Sequence, residues 1–236
     1  MIITSLKNDK VKYWTSLKNK KFRDQEKKFL IEGDHLIDEA LKASLIVETI
    51  SVVNQNADYF VTKEIMEKIS DQKTICYNAA VVRFIPEDNC YGNIIILDRL
   101  QDPGNLGTII RSAVAFSIDT VILSDDSVDL YNSKVIRSTE GMIFNVNIIR
   151  RNLEEIIPVL KNLGYKIVGT DVSKGLDIKS IKKDNIAIVI GNEGQGISEK
   201  VRDFCDEFVY IKTALNCESL NAGVAASILM YEVNHE

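Results

Sequence analysis

The stretch NIIILDRLQDPGNLGTIIRSAVAFSIDTVILS, Asn93 to Ser124, reads as strand, helix, strand. NIIILD and TVILS are apolar runs of strand length, and residues 106–116 between them read as a helix. Short apolar strands joined by helices imply a parallel sheet covered on both faces. The alternation continues to the C-terminus. SKVIRST is a predicted helix, FNVNII a strand, and LEEIIPVLKNLG a helix that contains Pro158 and has Gly164 suited to its C′ position. YKIVGTD and NIAIVIG are strands, SEKVRDF a helix, EFVYI a strand, and residues 220–232 a terminal helix.

Upstream the alternation is looser. Val11, Trp14 and Leu17 recur at helical spacing, and KKFLIEG reads as a strand. Leu36, Ile37, Ala40 and Leu41 mark one face of a helix, LIVETISVV is a strand, and Thr62 is placed to cap the helix TKEIMEKIS. TICYN reads as a short strand and AVVRF as a short helix. PEDNCYGN, Pro86 to Asn93, gathers turn formers and marks a boundary. The expected organisation is therefore α/β, with a smaller α/β domain over residues 1–88 and a parallel-sheet domain over 92–236.

The 236 residues, 45% of them apolar, suffice for one large or two modest cores. No apolar run approaches the roughly 18 residues of a membrane span. The N-terminus MIITSLKNDK lacks a signal-peptide core, so a cytoplasmic location is expected. Cys76, Cys90, Cys205 and Cys217 form no CxxC, and buried free thiols are expected. With two histidines, His35 on an amphipathic helix and His235 in the tail, no metal site is expected. Net charge is −5, but residues 1–28 hold nine basic residues against three acids, giving +6 there and −11 elsewhere. Local positive charge binds phosphate backbones; a solvated helix face would read the same way.

Three loops carry polar residues that a plain fold does not need: DPGNLGTIIRSA, IVIGNEGQGIS and ESLNAGVAAS. Each opens a predicted helix, and the first two follow strands, where α/β proteins place their sites. In the first, Asp102-Pro103-Gly104 makes a turn and Asn105 can cap the helix. Arg111 is either a surface residue or a guanidinium aimed at a site. The second is G-x-x-G-x-G rather than G-x-G-x-x-G, which weakens a dinucleotide reading; Ser198 can be an N-cap, while Glu193 can order a loop or a ligand. The third sets Ser219 and Asn221 before a helix rich in small residues, a candidate subunit interface.

In this order the segments resemble the SpoU (TrmH-like) family of AdoMet-dependent RNA 2′-O-methyltransferases, part of the SPOUT superfamily. N-x-G-x-x-x-R is matched by Asn105, Gly107 and Arg111; G-x-E-G-x-G by Gly191, Glu193, Gly194 and Gly196; S-L-N by Ser219, Leu220 and Asn221. KVIRSTEG resembles the family's connecting helix, with Lys134, Arg137 and Gly141 in place. VKYWTSLKNKKFR and KKFLIEGDHLIDEAL resemble its substrate-binding domain. The resemblance implies a SPOUT-type sheet with a trefoil knot, an exception to unknotted topology. It implies that Thr170, Gly191, Gly194, Ile211 and Leu220 bind S-adenosyl-L-methionine, that Arg111, Asn105, Glu193, Ser219 and Asn221 serve catalysis, and that the molecule is a homodimer. Lys18, Lys20, Lys21, Arg23 and Arg137 are the expected RNA-binding cations.

Lys212 and Leu215 stand where the family's I-P-x-x-G has proline and glycine, so the cofactor loop is expected to be less constrained. Arg111 is the family's usual candidate base, although a guanidinium with a pKa above about 12 suits a phosphate anchor better. Ribosomal RNA is the leading expected substrate. The alternatives are a tRNA 2′-O-methyltransferase, a non-catalytic RNA-binding module of the same fold and a nicotinamide-dependent enzyme.

Overall fold

The computed structural model describes residues 1–72, 74, 76–172, 174–180, 185–214, 216 and 218–234, with the backbone alone at 178. It separates into two compact units, residues 1–86 with 129–144, and residues 87–128 with 145–236.

The first unit is a mixed sheet with helices. Its elements are β1 (Ile2–Ile3), α1 (Asp9–Ser16), α2 (Lys20–Glu26), β2 (Lys28–Glu32), α3 (Asp34–Lys42), β3 (Ile46–Ser51), β4 (Tyr59–Val61), α4 (Lys63–Ile69) and β5 (Asn78–Arg83). The strand order is β1-β4-β3-β5-β2, with β5 antiparallel to both neighbours. The expected helical spacing of Val11, Trp14 and Leu17 is realised as a buried stripe, and the Trp14 indole donates to Glu48 at 2.9 Å. Leu41, expected on the buried face of α3, is 63% exposed. Thr62 occupies the N-cap of α4, but its side chain makes no capping bond.

AVVRF, expected as a helix, is strand. Ala79 to Val82 are fully buried and hydrogen-bonded on both sides, to β2 and β3. A central strand apolar on both faces shows no alternation, so tertiary pairing decides its conformation. The strand expected at TICYN begins only at Asn78, and Ile75 lies outside the described residues.

Residues 129–144, expected within the second domain, pack with the first unit. Val135 and Ile136 of the helix Ser133–Ser138 are buried, Tyr131 stacks on Phe84 with ring centroids 3.8 Å apart, and its hydroxyl accepts from Ile85 N at 3.0 Å. The helix expected at SKVIRST therefore forms, but it packs with the first unit.

Arg23 also departs from expectation. Its side chain is 7% exposed, and it donates to Leu17 O at 2.8 Å, Lys18 O at 2.6 Å and Asp129 at 2.5 Å. A buried guanidinium spent on carbonyls and a carboxylate is a structural tie, not a phosphate ligand. Arg23→Lys loses the forked geometry and is expected to lower unfolding free energy by about 1–2 kcal/mol. RNA affinity should be unchanged at temperatures where the variant is folded. Urea denaturation and filter binding check both.

The second unit contains β6 (Ile94–Leu97), α5 (Pro103–Ala115), β7 (Thr120–Ser124), β8 (Asn147–Arg151), α7 (Leu153–Asn162), β9 (Lys166–Thr170), β10 (Leu176–Asp177), β11 (Ile186–Ile190), α8 (Glu199–Arg202), β12 (Glu207–Tyr210) and α9 (Ala222–Asn234); α6 is the helix Ser133–Ser138 of the first unit. All seven strands are parallel, in the order β10-β12-β9-β11-β6-β7-β8. Ile94, Ile96, Ala187 and Val189 pack with Leu153, Ile157 and Leu160 of α7 and Val201 of α8. Residues of opposite parity, Ile95, Leu97, Ile188 and Ile190, are buried as well. Both faces are closed, as continuous apolar strands require. Gly164 has φ +87°, consistent with the expected C′ position after α7, and Pro158 lies inside that helix.

The chain runs from β6 outward through β7 and β8, then crosses to β9 on the other side of β6. This reversal of strand order makes a topological switch point beside β6, the kind of place where α/β sheets bind ligands. Among the described residues no helix is long and apolar enough to cross a membrane, and no cluster of three or more His, Cys, Asp or Glu gathers to hold a metal. Cys76, Cys90 and Cys205 are free and half-buried, and burial pushes the Cys205 thiol up to about 11. Cys217, Leu215 and His235 lie outside the described residues.

Candidate active site

α5 begins earlier than the sequence suggested, because Asp102 is its cap: Asp102 Oδ1 accepts from Asn105 N at 2.9 Å, and Pro103 fills the first turn. Asn105, expected as the cap, lies one turn inside and is 7% exposed. Its side chain is thus released for another use. Asn105 Nδ2 donates to Glu193 Oε1 at 3.0 Å, and Asn105 Oδ1 accepts from Asn221 Nδ2 at 2.8 Å. Asn221 Oδ1 in turn accepts from Gly223 N at 2.9 Å and Val224 N at 3.2 Å, capping α9. A carboxylate can only accept, so each amide in this chain has one workable orientation. Three loops, the first 88 and 116 residues from the other two, are locked together by three side chains.

Glu193 also accepts from Asp102 N at 2.9 Å and Gln101 N at 3.1 Å. Burial opposes its ionisation, but the bonds from Asp102, Asn105 and Gln101 outweigh burial and hold its carboxyl below the usual glutamate value. The sign follows. The folded value is the lower one, so the contribution is complete above the unfolded value of about 4.3 and is lost as pH falls through the folded value. Glu193→Gln should abolish this acid dependence of loop order. Amide exchange of residues 101–105, measured at pH 3 and pH 6, checks it.

The glycine loop is built from its own side chains. Asn192 Oδ1 accepts from Gly194 N and Gln195 N, each at 3.0 Å, and Asn192 pairs with Gly196 through two backbone bonds of 3.0 and 2.9 Å. Arg99, at φ +58°, donates to Gln195 Oε1 at 2.7 Å and Gly196 O at 3.3 Å. Buried Asp98 accepts from Ser198 N at 2.6 Å. Sequence reading missed Asp98, Arg99 and Asn192. The available signals were an acid at the end of an apolar strand and an Asn opening a glycine turn.

Around this loop lies a cavity of about 380 Å³ at the carboxyl ends of β9, β11 and β12. Thr170, Gly191, Gly194, Ile211 and Leu220 all lie on its wall, as do Glu193 and Ser219. Thr170 Oγ1 is held by Val189 O at 2.9 Å. Asn105 and Asn221 stand behind the wall, joined to it through Glu193. Arg111 is not on the wall. It is exposed on α5, with no hydrogen bond or ion pair among the described residues. Lys212 is exposed and does not line the cavity. Of the expected RNA-binding cations, all in the first unit, Lys18 pairs with Asp71 at 3.2 Å, Lys20 pairs with Asp24 at 2.5 Å, and Lys21 is exposed. Arg137 is half-buried on α6.

Comparison with known proteins places this architecture. The sequence profile of the SpoU rRNA Methylase family matches residues 92–231, and that of an MRM3-like substrate binding domain matches residues 8–75. The chain is 36% identical to the 23S rRNA (guanosine(2553)-2′-O)-methyltransferase RlmP of Bacillus subtilis over 98% of each chain. It superposes on the crystal structure of an AdoMet-bound rRNA methyltransferase from Sinorhizobium meliloti with a TM-score of 0.89 and 25% identity, covering 99% of this chain and 97% of that one. A TrmH-family structure from Porphyromonas gingivalis gives a TM-score of 0.87 at 27% identity, with 98% of each chain covered. With the ordered motifs, the parallel sheet and a whole-length relative in agreement, the chain belongs to the SpoU rRNA methylase family and is a methyltransferase.

Proposed function

We propose that this protein transfers a methyl group from S-adenosyl-L-methionine to a ribose 2′-hydroxyl of structured RNA, with ribosomal RNA as the substrate class. The observation that carries the reading is the Glu193–Asn105–Asn221 chain, which ties the three motif loops together at one cavity. Its volume is within the range of small-molecule sites, and its wall combines apolar side chains, Ile190, Val209 and Leu229, with closely packed glycine backbone. That composition fits a nucleoside-bearing ligand. When bound, the cofactor supplies an electrophilic methyl group on its sulfonium.

The chain's own residues then have two tasks. Glu193, Asn105 and Asn221 hold the loops in one arrangement, so little ordering remains when the ligands arrive. Arg111, charged and unengaged, anchors the phosphate next to the target ribose and so sets the position of the 2′-oxygen; its guanidinium keeps its proton. Alignment of this kind can lower a barrier by up to about 7–11 kcal/mol.

The first unit is the RNA-binding domain in this reading. The profile match at residues 8–75 and the local charge of +6 over residues 1–28 support it, with Lys21 a better-placed cation than Arg23. A cytoplasmic homodimer belongs to the same reading. Val224 and Tyr231, each 46% exposed, lie on α9, which packs on the helix that carries Arg111, and this exposed apolar surface supports an interface there. A threaded C-terminal knot belongs to the same reading through the family match over residues 92–231.

The test is transfer of a tritiated methyl group to total RNA from a strain lacking the gene, followed by mapping of the label. Label on the 2′-oxygen of a ribosomal nucleotide is the expected result. Label on a base would overturn the reaction type.

A further inference from the structure

One wall of the cavity differs from the rest. Arg202, the last residue of α8, and Asp171, just beyond β9, both line it. Arg202 Nη2 donates to Asp171 Oδ2 at 2.8 Å, while the guanidinium lies 4.4 Å from the centre of the Phe208 ring. Phe208 is itself seated over Gly169, where a Cβ would come within 2.5 Å of the ring. The cation is therefore held between a carboxylate and an aromatic face. Among the described residues no other hydrogen bond engages its remaining nitrogens. Nothing in the motif chain requires this pair: it contacts none of Glu193, Asn105 or Asn221 through a hydrogen bond.

Chemistry suggests the use. The methyl donor carries an apolar, stacking purine at one end and a zwitterionic amino acid at the other. Placing a carboxylate in a partly desolvated cavity costs free energy unless a cation meets it, and a guanidinium meets it in forked geometry. An ammonium needs the opposite charge. An Arg–Asp pair on one wall presents both, while Val209, Ile211 and Leu220 present the apolar surface that a purine needs. Building on the methyltransferase reading above, we propose that Arg202 and Asp171 recognise the zwitterionic amino-acid end of the donor.

The test is calorimetric binding of two neutral-sulfur analogues, S-adenosylhomocysteine, which keeps the amino-acid end, and 5′-methylthioadenosine, which lacks it. The unmodified protein is expected to prefer the first by about tenfold or more, as a charge-assisted bond requires. Arg202→Gln should remove most of that preference and leave methylthioadenosine affinity unchanged, with the thermal midpoint confirming the fold. Arg202→Met, which keeps an unbranched apolar side chain and removes the charge, serves the same comparison should the Gln variant fail to fold. Equal weakening of both analogues, or no weakening of either, would overturn the assignment. If the unmodified protein bound neither compound, the reading of S-adenosyl-L-methionine as the donor held in this cavity would fall, and the assignment with it.

Discussion

Arg111→Ala lowers the single-turnover rate of methyl transfer by at least about a hundredfold while leaving the protein as stable as before. The two halves of this expectation have separate causes. Stability is untouched because Arg111 is exposed in the middle of α5 and has no partner among the described residues, and alanine is the best helix former. Rate falls because a charge-assisted phosphate bond is worth about 1.5–3 kcal/mol, and because a ribose held slightly out of line loses more through misalignment. Binding of S-adenosylhomocysteine should be unchanged, since Arg111 does not line the cavity. RNA affinity should fall far less than the rate, because in the proposed reading the +6 segment of the first unit supplies most of the electrostatic attraction to phosphates. Arg111→Lys should recover only part of the loss, since a point charge cannot reproduce the forked geometry. Full activity in the alanine variant would remove Arg111 from the chemistry.

Gly191→Ala has the opposite signature: it damages the cavity and the fold together. A Cβ at this position would lie 2.2 Å from the carbonyl carbon of Gly196 and 2.3 Å from Ile197 N. Both are backbone atoms, and neither can give way. Gly196 is bonded twice to Asn192, and Ile197 is buried at 7% exposure. The loop would have to leave its place, opening the wall that carries Glu193. A loss of about 2–4 kcal/mol in unfolding free energy is expected, with cofactor affinity down at least about tenfold. Gly194→Ala is the control within the same motif. Its nearest neighbour is Asn192 Oδ1 at 3.8 Å, so it should cost little on either measure. Chemical denaturation and calorimetry on the two variants decide the matter; similar effects from both would show that crowding at Gly191 is not the cause.

The contrast between these glycines illustrates what a motif conceals. Both were read from the same G-x-E-G-x-G segment, yet only one touches backbone. Arg23 and Lys21 make a parallel case two residues apart: in sequence both are cations of a +6 segment, and in the fold one is buried on Asp129 while the other is exposed. That difference arises because Asp129 comes from a segment 106 residues away, a contact no local window contains. The helix expected at AVVRF failed for a related reason. Four consecutive buried residues satisfy either period, and the pairing of β5 with β2 and β3 chose the strand. The Asn105 cap was a one-turn error with a useful consequence, since Asp102 taking the cap frees the amide that joins Glu193 to Asn221.

Local physics in the chain was enough to determine the alternation of strands and helices after Asn93, the turns that open them, and the three polar loops with their motif residues. Hydrophobic period and cap chemistry act within a few residues, and they are written there. Only the tertiary structure decided strand order, the packing of residues 129–144 with the first unit, the burial of Arg23 and the pairing of Arg202 with Asp171 beside the cavity. These depend on which distant groups share a low-dielectric space, and whether a charge is paired there or left to solvent is settled by packing rather than by neighbours in the chain.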